Sequence, residues 1–286
     1  MINAAVFYAL VAMVCYGVTD LIYKRGAAAG IRADQFLTAQ AWFFLPLVTL
    51  YALATGTLVL APAALWGSLA GLFVFAGLYY FARSLADGAV STNAAIFRLN
   101  FIVTAALAIV FLGEPLTPIK LMGLALALAA TWLLVGATAD IDRAAGPTRS
   151  RLPWEIAVAT VAFGTSNFFH TVGLRHGALP ETLAVAQAAL FAPLATAFAY
   201  AVDRKLPPPP ASFRYGGAAA MGLFGATIFL LHSVARGQAS VLVPIAQMGF
   251  IVAALLGIAV LGEGVTPRKA VGLAAALAAL AMLAAS

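Results

Sequence analysis

The sequence predicts an all-α polytopic membrane protein, with ten transmembrane helices arranged as two inverted five-helix repeats. Three observations lead there. Hydrophobic residues make up 64% of the chain and charged residues 9%, against about half and about a quarter in a soluble domain. Lipid, not water, must cover most of such a surface. Long apolar stretches follow one another along the whole chain, each near the roughly 20 residues needed to cross about 30 Å of hydrocarbon. Finally, residues 86–135 return as residues 235–284 without a gap, which sets the fold before any single helix does.

The duplication is plain in the residues. Phe101, Ile102 and Val103 fall on Phe250, Ile251 and Val252, and Gly113, Glu114, Thr117, Pro118 and Lys120 on Gly262, Glu263, Thr266, Pro267 and Lys269. Shifted by 147 residues, Tyr16-Gly17-Val18-Thr19-Asp20 also lies on Phe163-Gly164-Thr165-Ser166-Asn167, and Pro46 on Pro193. The chain divides into a first repeat (1–136), a linker (137–153) and a second repeat (154–286).

The predicted spans are 3–23, 35–55, 64–83, 90–112, 117–136, 154–174, 182–202, 214–234, 239–261 and 267–285. Breaks between them carry Gly26–Gly30, the charged linker and the proline run 207–210. Thr117-Pro118 and Thr266-Pro267 read as an N-cap followed by proline in the first helical position. Five spans per half is an odd number, so the second half enters the membrane from the opposite side, an architecture typical of secondary transporters. The M-I-N-A-A start lacks a basic n-region, so the first span is expected to be retained.

Net charge is +6, yet no basic cluster with interleaved aromatics points to nucleic acid. The loops after spans 1, 3, 5, 7 and 9 hold Lys24, Arg25, Arg32, Arg83, Arg143, Arg149, Arg151, Arg204, Lys205, Arg214, Arg268 and Lys269; the other side holds Lys120, Arg175 and Arg236. That bias places the odd loops in the cytoplasm of an inner (plasma) membrane and both termini outside it. The one cysteine, Cys15, excludes an intramolecular disulfide. No P-loop or H-E-x-x-H pattern occurs, and no cofactor or metal is expected.

Two five-helix halves, each closing with a helix, L-G-E, a short turn and a helix containing G-L-A-x-A-L-A, resemble the EamA-like branch of the drug/metabolite transporter superfamily. The A-R-S-L-A-D-G-A stretch at 82–89 and Pro244 in the ninth span are similar to that family too. The resemblance implies a ten-helix carrier, often an exporter of amino acids or other small metabolites. Spans 1, 3, 4, 6, 8 and 9 would line its cavity. Family members are commonly drawn with cytoplasmic termini, whereas the charges here argue the reverse. Ala95 stands where the second half has Pro244.

Polar residues inside apolar helices are costly and face a pathway or a partner. Tyr16, Thr19, Asp20 and Tyr23 share one face of the first span, and Phe163, Ser166, Asn167 and His170 the same face of the sixth. Such a stripe either bonds neighbouring helices or lines the cavity; lining is the reading carried forward. Asp20 and Arg98 are the most deeply placed charges, with Asn167 and Gln247 as their repeat counterparts. A buried charge needs a partner, so Asp20 and Arg98 are expected to pair, structurally or in direct handling of solute. Asn93, Phe97, Asn100, Phe101 and Thr104 form one face of the fourth span. Tyr79 and Arg83 share a face of the third, and His232 stands at the Arg83 position of the eighth. A solvated helix end fits Arg83 and His232 as well as a substrate role. Either His170 or His232 would be the group to couple protons, though a neutral hydrogen-bonded state also fits both. Glu114 and Glu263 each precede a Thr-Pro helix start, whose positive end favours a carboxylate, so both are expected to be hairpin structure.

These readings converge on a secondary carrier moving a small organic solute by alternating access, with amino acids, including aromatic ones, as the expected substrates and export as the expected direction. The alternatives are a passive channel and, further off, an intramembrane enzyme. Two complete halves make a functional monomer plausible.

Overall fold

The computed structural model describes residues 3–87, 96–143, 154–261 and 266–286. All ten apolar stretches are helical there, and no strand occurs among the described residues. The helices are α1 (Ala4–Ala28), α2 (Ala33–Ala54), α3 (Leu65–Asp87), α4 (Asn100–Leu112), α5 (Pro118–Arg143), α6 (Trp154–Arg175), α7 (Pro180–Asp203), α8 (Pro210–Val234), α9 (Ala239–Gln247), α10 (Gly249–Leu261) and α11 (Pro267–Ala284). Seven described helices have the length and composition to cross a membrane, and Ile96–Leu112 and Pro118–Leu134 are shorter apolar helices. α6 reaches 22 residues but carries the polar stripe. Leu50, Val110, Phe111, Trp132 and Met221 are exposed, which suits a lipid-facing surface and would be a liability in water.

Local signals set the helix starts. Thr266 caps α11, accepting from the Lys269 N–H at 3.2 Å with Pro267 behind it, and Thr117 does the same for Lys120 at 3.2 Å. Pro46 and Pro193 both sit inside their helices, at matching repeat positions.

Packing exchanges partners between the halves. α1 lies along α8, α9 and α10, while its counterpart α6 lies along α3 and α4. α2 packs on α8 and α7, α7 on α3 and α2, and the closing helices α5 and α11 pack on each other. One contact is made twice in the same form. A Cβ added at Gly17 would stand 2.5 Å from the Gly249 carbonyl oxygen and 2.5 Å from Val252 Cβ. At Gly164 it would stand 2.5 Å from the Asn100 carbonyl oxygen and 2.6 Å from Val103 Cβ. Only glycine permits this backbone approach, as small residues do generally between membrane helices.

The ninth span is broken. α9 ends at Gln247, Met248 forms a turn and α10 begins at Gly249. In the first half, 96–98 are helical, Leu99 is a turn and α4 begins at Asn100. The bonding matches: Leu99 N–H to Ile96 O (3.0 Å) and Ile102 N–H to Leu99 O (2.9 Å), against Met248 to Ile245 (3.1 Å) and Ile251 to Met248 (2.9 Å). Such i→i−3 tightening inside a helix marks a hinge or a site. Pro244 is therefore not its cause in both halves, since the first half breaks without a described proline counterpart.

Candidate functional site

Arg98 and Gln247 are the last helical residues before the two breaks, and Asn100 is the first after one of them. The breaks thus present polar side chains in the middle of apolar spans. Arg98 Nη2 donates to Asp20 Oδ2, the pairing expected from the sequence. Each side chain is 24% exposed; the pair is not sealed in a dry core, where desolvation would be most severe.

Buried polar atoms are normally satisfied, and exceptions call for a reason. Among the described residues, Asn100 Oδ1, Asn167 Nδ2, His170 Nε2, Ser212 Oγ and Gln247 Nε2 are buried without a protein partner. All but Ser212 are residues that the sequence marks as lining. Asn100 and Asn167 belong to helices in direct contact: Thr104 Oγ1 donates to Gly164 O at 2.9 Å, and Thr160 Oγ1 to Ile96 O at 3.0 Å. The His170 ring is within hydrogen-bonding reach of Gln187 on α7. Phe97 and Phe163 meet across the same junction, with ring centroids 5.1 Å apart, and Phe81 stacks on Phe97 at 4.5 Å.

Other expected lining residues are placed differently. Thr19 is buried, donates to the Cys15 carbonyl at 2.8 Å and packs where a Cβ on Gly222 would come within 2.4 Å of its hydroxyl. It thus sits in the α1–α8 interface. Tyr16 packs against the core formed by Ala9, Ala12 and Ile245, and the Tyr23 hydroxyl donates to Gln40 Oε1 at 2.5 Å. Tyr79 sits among aromatic rings, 4.8 Å from Phe198 and 5.1 Å from Tyr80. His232 Nε2 lies 2.7 Å from Glu181 Oε1. Arg83 is in α3, but its side chain, like Asn93 and Glu263, lies outside what is described.

Glu114 corrects the expectation of a purely local role. Its carboxylate accepts the N–H groups of Ala239 (2.9 Å) and Ser240 (2.8 Å), capping α9 rather than its own hairpin helix. Arg175 holds it from the other side at 3.0 Å. Beside it, the fully buried Lys120 ammonium donates to Pro115 O (2.5 Å), Gln238 Oε1 (2.5 Å) and Ser240 Oγ (2.9 Å). The hairpin of one half is thus bonded to the start of the ninth span. One residue that sequence reasoning missed, Glu181, partners His232; it reads locally as an ordinary acid in a helix's first turn.

Comparison with known proteins fits this architecture. A solved crystal structure superposes with a TM-score of 0.78 at 18% identity, covering 97% of this chain and 95% of that one, which establishes the shared fold. No curated protein sequence matches the chain. Residues 3–136 match, and are thus similar to, the EamA-like transporter family, a family of membrane transporters of small solutes, and the second half of the chain carries a further copy of that matched half.

Proposed function

We propose that the chain is a secondary carrier that moves amino acids or related small metabolites out of the cell by alternating access between two inverted repeats. The observation that carries this reading is the set of orphaned polar atoms on Asn100, Asn167, His170 and Gln247. They are hydrogen-bonding capacity that the protein does not consume: Asn100 and Gln247 stand at the two helix breaks, and Asn167 lies one turn along α6 from Phe163 of the Phe97–Phe163 ring pair. Amides and an imidazole would hold the polar end of a solute, and the rings its apolar body. The Asp20–Arg98 pair is a fixed polar element beside this site. Exchange of packing partners between the halves supports inversion, because it lets the same contacts be made from both sides. Loop charges favour cytoplasmic odd loops, and the monomer holds a complete set of both halves.

Counterflow in liposomes tests the reading. Labelled amino acid should enter against unlabelled internal solute, and Asn167→Ala or Gln247→Ala should slow exchange at least about tenfold by removing solute bonds. Flux that follows the gradient without exchange would identify a channel instead. No flux across a broad solute panel would sink the carrier reading.

A further inference from the structure

The described residues form a pocket of about 320 Å³ between α1, α2 and α8, lined by Tyr8, Tyr51, Phe224, Phe229, His232 and Arg236 among others. That volume is at the lower end of small-molecule sites. Its walls are fixed aromatic pairs: Tyr51 and Phe224 meet edge to face at 5.2 Å, and Tyr8 stacks on Phe229 at 5.9 Å. Arg236 closes one end. Its guanidinium lies 4.9 Å over the Tyr8 ring and Nη1 donates to the His232 carbonyl at 2.7 Å. The same Nη1 is 3.2 Å from His232 Nδ1, making that nitrogen an acceptor and turning the other ring nitrogen, with its proton, toward the buried Glu181 at 2.7 Å. The carboxylate is thereby satisfied at the back of the pocket, while exposed Arg236 has no carboxylate partner among the described residues.

We propose that this pocket is a second solute site, which takes the carboxylate of an aromatic organic acid on Arg236 and its ring between the aromatic walls. A positioned guanidinium binds carboxylates through paired, charge-assisted bonds, and aromatic walls supply flat apolar area. The site is not a product of the duplication. Arg236, His232 and Tyr8 correspond to Asp87, Arg83 and Glu155 in the other half, so the residues that would hold the carboxylate are not repeated there.

The test is binding of radiolabelled phenylacetate and of uncharged benzyl alcohol to the full chain in detergent. Emission of the Phe229→Trp variant reports location. Phenylacetate should bind saturably, change the Phe229→Trp emission and lose about tenfold or more in affinity in Arg236→Gln, with Arg236→Lys in between. Benzyl alcohol should not distinguish these variants. If Arg236→Gln fails to fold, Arg236→Lys and Phe229→Trp still decide the matter. Unchanged phenylacetate affinity without the guanidinium, unchanged Phe229→Trp emission, or no saturable binding would each overturn the proposal. So would emission that responds to phosphatidylglycerol in nanodiscs and not to phenylacetate, which would make the pocket a lipid site. Binding in detergent needs no exchange, so failure here and failure of the carrier reading are separate results.

Discussion

The Asp20–Arg98 pair allows a quantitative prediction because the protein contains its own neutral control. Replacing Asp20→Asn and Arg98→Gln installs the residues that the second half uses at the same places, Asn167 and Gln247. Removing one partner of a sealed ion pair costs about 3–5 kcal/mol, because a charge is stranded; fully exposed pairs are worth about 0.2–1 kcal/mol. With each side chain 24% exposed, each single substitution should cost about 2–3 kcal/mol. The double substitution strands nothing and should cost less than about 1 kcal/mol, which implies a coupling of at least about 3 kcal/mol. Equilibrium unfolding in mixed micelles, followed by circular dichroism, reads all four corners of the cycle. A double variant no more stable than the worse single one would refute the pairing as a structural element. Counterflow on the same proteins separates stability from function: a stable double variant that exchanges normally confines the pair to scaffolding.

Three other outcomes are expected. Gly17→Ala and Gly164→Ala each push a methyl group to 2.5 Å from a backbone oxygen and should cost similar amounts, about 1–3 kcal/mol by overpacking. Gly217→Ala, whose nearest neighbour is the Phe43 ring edge at 3.3 Å, should cost less than either in the same unfolding assay. Glu114→Ala removes the acceptor for the Ala239 and Ser240 N–H groups, at about 1–3 kcal/mol, and hydrogen exchange should accelerate at those two amides before the rest of α9. Asn167→Ala and Gln247→Ala should slow exchange while leaving the melting curve nearly unchanged, since the Asn167 and Gln247 side-chain nitrogens bond no protein group.

Much of the fold could be read from the residues because lipid simplifies the rules. A span needs only length and apolarity, and Thr-Pro marks a helix start wherever it occurs. The Asp20–Arg98 contact was legible from the repeat, because the second half is neutral at both places, with Asn167 and Gln247. The break at Leu99 was not. Leu99 is no helix breaker, and the hydroxyl of Thr160, from the other half, bonds the Ile96 carbonyl beside that break. A tertiary partner, not local propensity, accompanies the break. Glu114 misled in the same way: the nearest positive helix end is its own hairpin's, but the one it caps begins at Ala239. Thr19 and Asp20 are neighbours in one polar stripe, yet one is sunk against Gly222 and the other meets Arg98. Helical periodicity gives a face, and only the packed neighbours decide which part of that face is occupied.

The double glycine contact has a consequence for how such a chain is made. Gly17 lies on α1 and its seat at Gly249 and Val252 lies on α10, so synthesis delivers the first well before the second. The first half cannot finish its own packing while it waits, because its first span is shaped for a groove it does not contain. A free-standing five-helix unit would face the same shortage, and a second copy of that unit would supply both grooves at once. The interlock therefore describes a dimer held in one polypeptide. Within one chain the two copies stand in a fixed ratio, so one can carry the Asp20–Arg98 pair while the other carries Asn167 and Gln247 at the same places.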